Sequence, residues 1–90
     1  MGTAAVQYKI MPESPEADLN QILEIAKTKI TNLGGVFASS EEQPIAFGLK
    51  ALIISLAYPE EKEIEDLENE LKTIENISSV EMIDYRRALG

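Results

Sequence analysis

The chain has 90 residues, sixteen acidic against eight basic side chains, a formal net charge of -8, and neither cysteine nor histidine. This length fits one domain, residues 1–90; the missing residue types exclude a disulfide framework, thiolate and imidazole metal sites, and the usual general base near neutral pH. The charge disfavours a nucleic-acid backbone or an anionic membrane as partner, since both recruit clustered Lys and Arg.

A basic protein partner is the natural counterpart of such a charge, because opposite fields speed encounter. The alternative is that the acids only keep the chain soluble. Residues 1–10 carry no basic end and no long apolar run, so no signal peptide is read there. The longest apolar stretch, residues 49–58, is broken by Lys50 and Ser55 and is too short to span a bilayer. A cytoplasmic location is expected.

Val6, Tyr8 and Ile10 alternate with Gln7 and Lys9, which is the period of a strand. Residues 11–15, with prolines at 12 and 15, read as a loop, since a central strand does not accommodate them. Leu19, Ile22, Leu23, Ala26, Ile30 and Leu33 then fall on one helical face. Asp18 is placed to cap that helix, with Gln21 three residues on as the second half of a capping box. Gly34 and Gly35 end it.

Val36 and Phe37 open a second strand that runs through polar residues to Pro44, a composition that predicts an edge strand with an irregularity near the proline. Residues 47–58 are apolar on both faces and predict a central third strand, with Gly48 marking a bulge or close backbone approach. A second helix is predicted to open at Pro59 and Glu60. Its stripe is Ile64, Leu67, Leu71 and Ile74, its first turns carry Glu60, Glu61, Glu63, Glu65 and Asp66, and it ends near Asn76. Residues 80–85 form the last strand, continued by Arg86, Arg87 and the terminal Ala88, Leu89 and Gly90.

Strand, helix, strand, strand, helix, strand predicts an α+β fold, the ferredoxin-like β-α-β-β-α-β sandwich: a four-stranded antiparallel sheet with two helices on one face. Right-handed crossovers put the first and third strands at the centre.

No enzymatic constellation emerges. The chain lacks a glycine-rich phosphate loop and a nucleophile elbow, and the acids of residues 61–70 read as a solvated helix face rather than a cation site. Acylphosphatases share the topology but use an Arg after the first strand, which residues 11–18 lack. RNA recognition on this fold needs exposed aromatics on the central strands; the third strand offers Leu, Ile and Ala. No cofactor and no covalent catalysis are expected.

Two features remain. One is the run Gln43-Pro44-Ile45-Ala46-Phe47-Gly48-Leu49-Lys50-Ala51-Leu52, where an aromatic beside a glycine either projects at the rim of the sheet or packs into the core. The other is the adjacent pair Arg86-Arg87, which either reaches a partner or answers local acids. Strand neighbours point to opposite faces, so one of the two arginines reaches a given surface.

Residues 44–52 resemble the core signature of the translation elongation factor 1-beta exchange domain family, Pro-Ile-(Ala/Gly)-(Tyr/Phe)-Gly-(Ile/Leu)-Lys-Lys-Leu. The opening Val6-Gln7-Tyr8-Lys9-Ile10-Met11-Pro12, the acidic second helix and residues 80–85 are similar as well, and the bare domain looks like the archaeal form. The resemblance implies a guanine nucleotide exchange factor for elongation factor 1-alpha, a GTPase from which it would release GDP. It implies that Phe47, Gly48 and Lys50 contact that partner. Eukaryotic members use a lysine near the C-terminus at the magnesium and phosphate sites; this chain has none there, and Arg86 or Arg87 is the substitute. The competing expectation is a ferredoxin-like module that binds a small ligand or itself.

Overall fold

The computed structural model describes residues 2–87. Six elements follow in the expected order: β1 (Thr3–Pro12), α1 (Leu19–Asn32), β2 (Val36–Pro44), β3 (Lys50–Pro59), α2 (Ile64–Leu71) and β4 (Ile77–Arg87). The strands form one antiparallel sheet in the order β2-β3-β1-β4, so β1 and β3 are central and β2 is an edge. Both helices lie on one face.

That face holds the core. Ala4, Val6, Tyr8 and Ile10 of β1 meet Leu52, Ile54, Leu56 and Tyr58 of β3 beneath Ile22, Ala26 and Ile30 of α1 and Leu67 and Leu71 of α2. The period-two pattern of the strands and the three-four spacing of the helices thus converge on one apolar layer. The other face carries Gln7 and Ser55, joined by a 2.9 Å hydrogen bond between directly opposed residues. Ala51 and Ile53 are buried there as well, as expected for a strand apolar on both sides.

The α1 start is built by Asp18, whose carboxylate accepts the N–H groups of Asn20 and Gln21 at 3.0 and 3.2 Å. The second half of the capping box is not made: no bond returns from the Gln21 side chain. Gly34, at φ 90°, follows the C-cap Leu33. Lys62 Nζ donates to Leu33 O at 2.7 Å and so tethers the β3–α2 turn to the end of α1. Lys27 lies 5.0 Å from the Phe37 ring centroid and pins the start of β2 against α1.

Several boundaries differ from expectation. Pro12 is the last residue of β1, not loop: it is buried and pairs with Ile77 alone, beyond the last β1–β3 pair at Ile10 and Leu52. Pro59 closes β3 instead of opening α2. It lies past the final β2–β3 pair at Val36 and Ala57, where the sheet has one neighbour left. A proline at such a singly paired end costs the sheet little. Helix α2 starts at Ile64, so only Glu65 and Asp66 of the acidic run occupy its first turn. Ile74 is buried but lies beyond the helix. The β2 irregularity falls between Phe37 and Ser39, not at Pro44. β4 starts at Ile77 and runs through Arg87; Ala88, Leu89 and Gly90 lie outside the described residues. β3 begins at Lys50, which leaves Phe47, Gly48 and Leu49 in the connection from β2.

Candidate functional site

That connection is a tight hairpin end. Phe47 and Gly48 both have positive φ, 55° and 80°. Leu49 N–H donates to Ala46 O and Ile45 N–H to Leu49 O, each at 2.9 Å. Two successive positive φ values closed by a bond from the fourth residue to the first are the signature of a type I′ turn. Such turns favour Asn, Asp and Gly at their centre because these tolerate the left-handed region. Gly48 meets that demand. Phe47 does not, and a β-carbon in that region costs about 1–2 kcal/mol.

Packing does not compensate. Phe47 is 97% exposed, so the core alternative for this ring is excluded. Ile45, just before the turn, is 43% exposed. It was present in the recognised run but had no signal of its own: one isoleucine among apolar neighbours reads equally well as core. Lys50, at the start of β3, stands 3.9 Å from Glu42 on β2, and both side chains are open to solvent. The hairpin therefore presents an apolar tip above a loosely neutralised ion pair.

Arg86 and Arg87 are not part of this cluster. Arg87 pairs with Ala4 and Arg86 with Ala5, at the end of β1 remote from the hairpin. Ala4 in turn faces Tyr58 of β3, eight residues from Lys50, or about 26 Å of strand. The molecule measures 43 Å along its longest axis. Arg86 Nε lies 3.1 Å from Asp84 Oδ2, so this guanidinium already has a carboxylate partner, although it is 79% exposed. The register sets Arg86 on the helix-free face and Arg87 on the helix face.

The perturbed titratable groups sit elsewhere. Burial, then the Glu68 carboxylate, pushes the Tyr8 phenol far above its ordinary range; burial, then Asp66, raises Tyr58. Both belong to the core beneath the helices. The Tyr8 hydroxyl is buried without a hydrogen-bond partner among the described residues. Among the described residues, no three Asp or Glu side chains converge as a cation site would require, and no helix is long and apolar enough to cross a membrane. The hairpin presents an exposed apolar tip in Phe47 and Ile45.

Comparison with known proteins shows the family. The profile of the EF-1 guanine nucleotide exchange domain matches residues 5–87. Elongation factor 1-beta of Methanosarcina barkeri is 38% identical over 88 residues, covering 97% of this chain and 99% of that protein. The Nanoarchaeum equitans elongation factor 1-beta is 42% identical over 82 residues, covering 89% and 99%. That of Methanosphaera stadtmanae is 39% identical over 90 residues, covering 99% and 100%. Among solved structures, the ACT domain from the GTP pyrophosphokinase of Chlorobium tepidum superposes with a TM-score of 0.62 over 88% of this chain and 96% of that one. At 10% identity this likeness is one of fold alone. The chain belongs to the EF-1 guanine nucleotide exchange domain family, alongside the archaeal elongation factors 1-beta.

Proposed function

We propose that the chain, acting as one exchange domain over residues 1–90, promotes replacement of GDP by GTP on elongation factor 1-alpha during translation elongation in the cytoplasm. The observation that carries this reading is Phe47: a large apolar ring held in full solvent, in a conformation that disfavours it, within the stretch that most resembles the family signature. Neither fold stability nor local propensity accounts for the ring, whereas burial against a partner does.

The mechanism needs no covalent step and no cofactor. A GTPase holds its nucleotide through phosphate and magnesium contacts. A protein that binds the empty GTPase more tightly than the loaded form must weaken nucleotide binding by the same factor. Phe47 anchors the tip, Gly48 permits the turn, and Lys50 supplies a cation beside it. Arg86 or Arg87 is the candidate for the ion-displacing role, acting from the opposite end of the sheet. A partner touching both ends must present a surface at least about 26 Å across, as a GTPase can and a small ligand cannot. No direct contact with nucleic acid or membrane enters this reading. Release of labelled GDP from elongation factor 1-alpha tests it: catalytic amounts of the chain accelerate release, and Phe47→Ala slows it while the domain stays folded.

A further inference from the structure

We propose that the outer edge of β4 pairs with the same edge of a second copy of this chain, joining two sheets into one through residues 80–87, with Glu81 of each copy set against Arg86 of the other. The inference does not use the exchange reading above and stands or falls apart from it.

β4 ends the strand order β2-β3-β1-β4, and among the described residues no strand pairs with its outer side. The main-chain N–H and C=O groups on that side are a template for a further strand. The two edges of the sheet are not alike. β2 carries Glu41 and Glu42 without a basic residue and ends on Pro44, which has no N–H to give. Paired with itself, it gains no contact between opposite charges. β4 contains no proline and balances Glu81 and Asp84 with Arg86 and Arg87. It also leaves Ile83 and Tyr85 exposed, at 45% and 39%.

A two-fold axis perpendicular to the sheet keeps every residue on its own face, so antiparallel self-pairing matches residues that share a face. In a regular strand these lie an even number of positions apart. β4 is not regular: its register against β1 slips between Gln7 and Tyr8, and Ile83 has no partner there. Met82 and Tyr85 therefore stand opposite Tyr8 and Val6, both on the helix face, while Glu81 and Arg86 stand opposite Lys9 and Ala5, both on the helix-free face. Centring the overlap between Ile83 and Asp84 then sets Glu81 against Arg86 twice, Met82 against Tyr85 twice, and the stem of Arg87 along Val80. Directly opposed residues have β-carbons about 4.5–5.5 Å apart, within reach of an ion pair and of a thioether–aromatic contact. Sliding one copy by two residues faces Glu81 with Asp84 instead, like charge on like. The net charge of -8 on each copy opposes association at longer range, so the pair is weak, with a Kd of about 0.1–1 mM. The hairpin tip, on the far side of the sheet from β4, stays uncovered.

The test is sedimentation equilibrium of the full chain up to about 1 mM, with amide NMR over the same dilution series. The apparent mass is expected to rise from one chain toward two, and the amides that shift with concentration to be those of residues 80–87 and their neighbours. Glu81→Arg replaces a negative charge by a positive one and takes the net charge from -8 to -6, which by itself would ease association. The pairing predicts the opposite, a dimer about threefold to tenfold weaker. Arg86→Glu weakens it likewise, and the double exchange, at the parent charge, restores it. Circular dichroism checks that each variant is folded; if a single variant unfolds, the dilution shifts of the parent still decide. A parent chain that stays a monomer at about 1 mM overturns the inference. So do dilution shifts on β2 or the helices, a dimer that both single variants leave unaltered, or a double exchange as weak as the single ones. None of these readouts involves the GTPase, so their outcome leaves the exchange reading where it stands.

Discussion

At Phe47 two demands on one residue pull apart. The turn asks for Asn, Asp or Gly at a φ of 55°, and the sequence supplies a phenyl ring that touches no core residue. If the ring serves only a partner, replacing it with the residue the turn prefers relieves the fold and harms the function. Phe47→Asn is expected to raise unfolding free energy by about 0.5–1.5 kcal/mol in denaturant titration and to lower the rate of GDP release. Loss of stability would instead mean that the ring packs on something in solution.

Tyr8 makes a second residue-scale case. Its hydroxyl is buried under the helices with no partner among the described residues, so removing it breaks no hydrogen bond to them. Tyr8→Phe is expected to leave stability unchanged or raise it by about 1 kcal/mol. The pH dependence has a definite sign. The folded phenol is held protonated above its unfolded value near 10, by burial first and Glu68 second. Its contribution is complete below about pH 10 and is lost as pH rises beyond that value. Urea midpoints should fall above pH 10 in the parent and fall less steeply in Tyr8→Phe, where the similarly raised Tyr58 remains.

At the scale of elements, the sequence was most readable where side-chain period and end signals agreed. Alternation through Val6, Tyr8 and Ile10 defined β1; the Leu19-to-Leu33 stripe with Asp18 before it and Gly34 after it defined α1. The cap is testable: Asp18→Ala frees the Asn20 and Gln21 N–H groups and is expected to cost about 1 kcal/mol in thermal or urea unfolding. An unchanged midpoint would show that solvent replaces the carboxylate fully.

Boundaries failed where a local signal had two meanings. Pro12 read as part of a loop and Pro59 as the opening of α2, yet each closes a central strand at a position paired on one side only, a property of the neighbouring strands and invisible locally. Phe47 and Leu49 continue the apolar run of β3, so the strand seemed to begin at Phe47; the paired positive φ values that turn the chain there depend on Gly48 and on closure of the hairpin. The tip itself was legible from the aromatic–glycine pair, and its exposure was one of two readings left open. The separation of Arg86 and Arg87 from the tip follows from strand direction and register rather than from their spacing in the chain.

At the scale of the whole molecule, the sheet carries an apolar tip at one end and arginines at the other, in a molecule 43 Å along its longest axis with a net charge of -8. Its core is a single layer of Ile, Leu, Val, Ala and Tyr between sheet and helices, and burial of each large side chain contributes about 1.5–3 kcal/mol. A packed core of this kind suits the proposed function, since a domain that deformed on contact would spend binding energy on itself instead of on the nucleotide site. The most direct measurement is the release of fluorescent GDP from elongation factor 1-alpha at substoichiometric chain. The account predicts acceleration by the parent protein, and marked loss of that acceleration in a Phe47→Asn variant that is at least as stable. Release no faster than in buffer, or equal acceleration by both proteins, would contradict it.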